Sequence, residues 1–125
     1  MFTLMLNTNE DKTQQFAKKY LVRGKAEWGS YFYGMMADSR GTDKKKLAIA
    51  IRRMDYDDFM ETRYWRLVST QVKRDSHWCC QECGRRCHDL EVHHESYKQH
   101  GYEMFHYKEL RCLCSHCHRL KHSNK

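Results

Sequence analysis

Cys114-Ser-His-Cys117-His118-Arg-Leu-Lys-His122, written CSHCHRLKH, carries two kinds of metal chemistry within nine residues. Cys114 and Cys117 form a Cys-x-x-Cys pair, a spacing that sets two thiolates on one side of a tight turn. His118 and His122 stand at i and i+4, so a helix capped at Ser115 projects both imidazoles from one face. A two-point grip of this kind needs a third ligand from elsewhere in the chain.

A second pair, Cys80-Gln-Glu-Cys83, completes four soft ligands for a tetrahedral ion. Zinc is the natural occupant, at about 2.3 Å from each sulfur, and a four-thiolate shell has no open position, so the site is expected to be structural. Thirty residues separate Cys83 from Cys114, more than a plain zinc ribbon holds, so something else is built inside the loop that this ion closes. Cys79, Cys87 and Cys112 make no further pair and read as packing or surface thiols. Seven cysteines, an odd number and partly paired, point to metal ligation in a reducing compartment rather than to a disulfide framework.

Inside that loop lies Leu90–Tyr97, LEVHHESY, with His93 and His94 side by side. Neighbouring side chains of a strand point to opposite faces. One imidazole can therefore face the ion held by His118 and His122 while the other faces outward, free to take a proton from water. His77, His88, His100, His106 and His116 show no comparable pattern and take no role, with His106 kept in reserve.

The remainder of the chain frames this region. The 125 residues suffice for one domain, or for one small domain with an appendage. The balance of 23 Lys and Arg against 16 Asp and Glu, a formal +7, suits a polyanion but serves solubility equally well. No apolar segment approaches a membrane span, and the opening residues lack the leader of a secretory signal, so a soluble cytosolic protein is expected. Residues 1–55 form an N-terminal region of unassigned role, expected to be mostly helical. Asn7 to Asn9 read as a helix start with Phe16, Tyr20 and Leu21 as its stripe, and Trp28 to Tyr33 as a strand or a core plug. Lys44 to Met54 fits a strand by alternation and a helix by its three-to-four spacing, its flanking cations being a solvated face or a phosphate contact. Between Tyr56 and Asp75, the spacing of Met60, Tyr64, Leu67, Val68 and Val72 predicts one amphipathic connecting helix. With no proline in the chain, helix ends must be set by glycine and by capping.

Three stretches together resemble the HNH endonucleases of the ββα-metal class, in particular the phage and bacterial branch with a structural zinc on four cysteines. They are Trp78-x-Cys80-x-x-Cys83-Gly84, then Leu90-Glu-Val-His93-His94-x-x-Tyr97-x-x-x-Gly101-x-Glu103, then Leu110-x-x-Leu113-Cys114-x-x-Cys117-His118-x-x-x-His122. The likeness covers residues 56–125, with the zinc and catalytic module at 76–125, and leaves residues 1–55 unmatched. It implies an α+β fold in which strands at Leu90–His94 and Leu110–Leu113 form a hairpin ahead of a helix from Ser115 to about Ser123. It further implies that His93, His118 and His122 bind the catalytic divalent metal and that His94 is the general base.

The resemblance has one departure. The family's middle residue, usually asparagine, falls at Glu109, a carboxylate that accepts hydrogen bonds but cannot donate them when ionised. Glu109 is expected either to bond a ring N–H of His94 and raise its basicity, or to point to water. Three neutral imidazoles leave the ion its full double charge, and open positions on it take a phosphate oxygen and the departing 3′ oxygen. Ligand type favours zinc, nickel or manganese, and abundance favours magnesium. Arg111, Arg119 and Lys121 lie close enough in sequence to hold the DNA backbone. Two other functions fit parts of the pattern: a zinc-stabilised DNA-binding module without catalysis, and a nuclease subunit docked by residues 1–55 onto a larger nucleoprotein complex.

Overall fold

The computed structural model describes residues 11–25 and 31–123, with side chains as far as Lys121. Two compact units divide between Arg66 and Leu67. The boundary expected at residue 55 falls inside the first of them, at the cap of a short helix.

The first unit is helical: α1 (Lys12–Tyr20), α2 (Phe32–Asp38), α3 (Lys44–Arg53), α4 (Tyr56–Met60) and the start of α5 (Arg63–Asp75). Aspartates set the starts of α1, α3 and α4. Asp11 accepts from the Gln14 N–H at 2.7 Å, Asp43 from Lys45 and Lys46 at 3.0 and 3.2 Å, and Asp55 from Asp57 at 2.9 Å. The cap expected at Asn7–Asn9 lies outside the described residues, as does Trp28–Ser30 of the aromatic run. The described end of that run is not a strand. It opens α2, with Phe32 buried and Tyr31 and Tyr33 exposed. Lys44–Arg53 resolves as helix: Leu47, Ala48 and Ile51 are buried together, while Ile49, which a strand would place on the same face as Leu47 and Ile51, is 47 % exposed. Phe16, Tyr20, Phe59, Tyr64 and Trp65 form an aromatic core with ring centroids 4.7 to 6.5 Å apart. Each such side chain contributes about 1.5–3 kcal/mol by leaving water.

The single helix expected over Tyr56–Asp75 is broken at Glu61–Thr62. The backbone there is taken by another segment: Gly24 donates to the Glu61 carbonyl at 3.2 Å and Arg63 to the Val22 carbonyl at 3.0 Å. Thr62 then caps α5, accepting the Trp65 N–H at 3.1 Å. Met60 is displaced from the apolar face and exposed, while Tyr64, Leu67, Val68 and Val72 are buried as their spacing predicts.

The second unit carries the rest of α5, a two-stranded antiparallel sheet and α6 (Ser115–Ser123). Strand β1 is Leu90–His93 and β2 is Arg111–Cys114, in the register Leu90↔Cys114, Glu91↔Leu113, Val92↔Cys112, His93↔Arg111. The connection between them is turns of 3-10 helix, and α6 follows β2 with no linker. The mixed helix and sheet composition is that of an α+β chain. Ser115 is the first residue of α6 rather than its cap, and its hydroxyl donates to Asp89 at 2.5 Å. The sulfur of Cys114, one residue earlier, accepts the Cys117 N–H at 3.4 Å and so takes up a free donor of the first helical turn.

Candidate metal centre and its carboxylate partners

The two cysteine pairs meet. The sulfurs of Cys80, Cys83, Cys114 and Cys117 all lie within 4.8 Å of one another. Cys83 Sγ is 4.0 Å from Cys114 Sγ, against about 3.8 Å for the edge of a tetrahedron with zinc–sulfur bonds of about 2.3 Å. Each pair closes a turn in which the first sulfur accepts the N–H of the second cysteine, Cys83 to Cys80 at 3.5 Å and Cys117 to Cys114 at 3.4 Å. The donors therefore fit a tetrahedral soft-metal ion. Gln81 brings the pairs together, its N–H donating to the Cys112 carbonyl at 2.8 Å and its side-chain oxygen accepting the Cys112 N–H at 2.7 Å. Burial raises the Cys80 thiol, but backbone hydrogen bonds from Cys83, Cys114 and Glu82 outweigh it and bring it down to about 6. Burial and the neighbouring sulfurs push Cys117 up to about 12. The backbone N–H groups thus favour the thiolate at Cys80, and Arg85 faces Cys114 as a counter-charge. Cys79, Cys87 and Cys112 lie outside this cluster.

On the other side of the hairpin, His93 Nδ1 and His118 Nε2 are 3.1 Å apart, with their rings 5.0 Å between centroids. The period of two along β1 places Glu91 and His93 on one face, and α6 supplies His118 to it. Glu91 Oε2 accepts from His118 Nδ1. A carboxylate only accepts, so His118 carries its proton on Nδ1 and offers the lone pair of Nε2 toward His93, the arrangement that orients a metal-ligating imidazole. Glu91 was not among the residues singled out from sequence, although its i, i+2 relation to His93 was there to read. His122 lies one turn beyond His118 on α6, and its side chain is outside the described residues.

His94 does not face outward. Its side chain is 2 % exposed, and Nε2 lies 3.0 Å from Glu103 Oε2. His100 Nδ1 donates to the same oxygen at 2.7 Å, and the Gly101 N–H to Glu103 Oε1 at 2.9 Å. The Tyr97 ring stacks on His94 at 5.5 Å and 18°. The alternation that puts Glu91 and His93 on one face leaves His94, just past the end of β1, on the other, with buried Leu90. Burial raises the Glu103 carboxyl, but the hydrogen bonds from His100 and His94 outweigh it and bring it down to about 2. Gly101 sits at φ +99, in the region that favours glycine, and that backbone presents its N–H to Glu103. His100, assigned no role from sequence, belongs to this cluster.

Glu109 does not bond His94. It is 62 % exposed at the side chain and pairs with His106 Nδ1 at 2.7 Å. The carboxylate beside His94 is Glu103, which the turn at Gly101 and the 3-10 segment Glu103–Phe105 carry inward. Arg111 pairs with Glu82 at 3.1 Å and lies 3.9 Å from Glu95, and Lys121 pairs with Glu95 at 2.9 Å. These two cations are engaged with carboxylates, whereas Arg119 is exposed. Among the described residues no helix is long and apolar enough to cross a membrane. Compared with known proteins, the chain matches no family model, no curated protein and no solved structure.

Proposed function

We propose that the chain is a metal-dependent DNA endonuclease of the HNH kind, with a structural zinc on Cys80, Cys83, Cys114 and Cys117. The hydrolytic ion is held by His93, His118 and His122. One observation carries the reading: His93 and His118 bring ring nitrogens to 3.1 Å across a strand and the helix that follows the hairpin, with Glu91 holding the far side of His118. A purely structural zinc module has no need of that second convergence. When bound, a magnesium, manganese, nickel or zinc ion would stabilise charge on the scissile phosphate and the leaving 3′ oxygen.

The chain's own groups supply the rest. His94 takes the proton from water, with its ring fixed by Glu103 and shielded from bulk solvent. Arg119 offers its charge to the DNA backbone directly, while Arg111 and Lys121 must exchange Glu82 and Glu95 for phosphate. Binding is therefore expected to weaken with salt.

The test is cleavage of supercoiled plasmid with Mn2+ or Mg2+, with and without chelator, by the wild type and His118→Ala. The reading expects nicked or linear product from the wild type, none with chelator, and a loss of at least about 100-fold in the variant. A wild-type protein that retards the plasmid and leaves it uncut would overturn it in favour of a zinc-stabilised binding module.

A further inference from the structure

The group formed by buried His94, Gly101 and Glu103 with half-buried His100 is more than a packed interior. Glu103 has no exposed surface, and both of its oxygens are occupied: Oε2 by two imidazoles at 3.0 and 2.7 Å, Oε1 by a backbone N–H at 2.9 Å. A buried carboxylate is costly unless such donors satisfy it, and once satisfied it is rigid, because no water competes for its lone pairs.

We propose that Glu103 is the positioning residue of the nuclease reaction, fixing the tautomer and orientation of His94; this rests on the nuclease reading above. The carboxylate can only accept, so the hydrogen shared with His94 resides on Nε2. In the neutral ring that places the basic lone pair on Nδ1. In the cleavage step the proton moves from water to Nδ1, and the water oxygen forms the new bond to phosphorus. The P–O3′ bond breaks with its electron pair passing to the 3′ oxygen, which takes a proton from solvent. The imidazolium formed on His94 is stabilised by the same carboxylate.

His100 and Gly101 hold Glu103 in place. Without the Gly101 N–H, Oε1 would lose its donor, and without His100 the carboxylate would be free to turn about its last bond. The signature Gly101-x-Glu103 thus has a physical reading: a left-handed turn whose N–H holds the carboxylate that holds the base.

The first test is 15N NMR of the histidine rings in the zinc-loaded wild type, with His94 assigned by its loss in His94→Ala. The Nε2–H tautomer is expected, and a ring protonated on Nδ1 alone overturns the proposal without reference to any variant. The second is plasmid cleavage by Glu103→Gln and Glu103→Asp, each checked by melting. Glutamine has one accepting oxygen and a donating NH2, so it cannot serve both the two imidazoles and the Gly101 N–H, and kcat is expected to fall by about 10–100-fold with KM little changed, aspartate recovering part of it. Unchanged kcat in Glu103→Gln, or a loss confined to KM, overturns it. His94, His100 and Glu103 also present donors within 4.8 Å of one another, so metal content is measured alongside, and an equivalent of metal lost in Glu103→Gln overturns the positioning role in favour of ligation. If the wild type does not cut DNA at all, the nuclease reading fails, while the tautomer measurement still reports on Glu103 by itself.

Discussion

Two glutamates, Glu91 and Glu103, divide the histidines between two environments: Glu91 turns His118 toward His93, and Glu103 draws His94 inward with His100. Glu109, the position a family likeness assigns to the site, points away and pairs with His106. Glu109→Ala is therefore expected to leave plasmid cleavage within about threefold of wild type, since its exposed pair contributes little. Glu103 gives a pH signature. Its folded-state value, about 2, lies below the ordinary 4.5, so its contribution is present in full above pH 4.5 and is lost as pH falls through about 2. Urea unfolding between pH 2 and 6 should show a steeper acid loss in the wild type than in Glu103→Gln, and parallel curves would contradict this. The approach of His93 to His118 was legible, because a strand end and the helix that follows the hairpin are local facts. The carboxylate partners were not. Glu103 reaches His94 only after a left-handed turn at Gly101, and nothing in the nine-residue separation distinguishes it from Glu109 as a partner before that turn is known.

Among the elements, the hairpin and α6 lie close to the bounds the resemblance implies; Gln81 ties the Cys80–Cys83 turn to Cys112, and Cys114 ends β2. Cys80→Ser should accordingly unfold the second unit rather than merely slow a reaction, seen as loss of its amide dispersion together with zinc. A zinc-free variant melting as the wild type does would contradict this. The first unit was harder to read. Its capping aspartates are local and legible, but the break at Glu61–Thr62 depends on a non-local pairing with Val22–Gly24 that no periodicity records. Asp43→Ala removes the acceptor for two N–H groups of α3 and is expected to cost about 1 kcal/mol of stability, read from the denaturation midpoint.

For the whole molecule, the formal charge of +7 and the convergence of two ligand sets in the second unit define the account. Its central claim is that imidazoles of β1 and α6 hold an ion separate from the one on the cysteines. Electron paramagnetic resonance of Mn2+ titrated into the zinc-loaded chain tests that claim most directly. The account predicts one Mn2+ per chain with nitrogen couplings in the wild type, and its loss in His118→Ala while the zinc content is unchanged. Equal, nitrogen-coupled Mn2+ binding by the variant would contradict it.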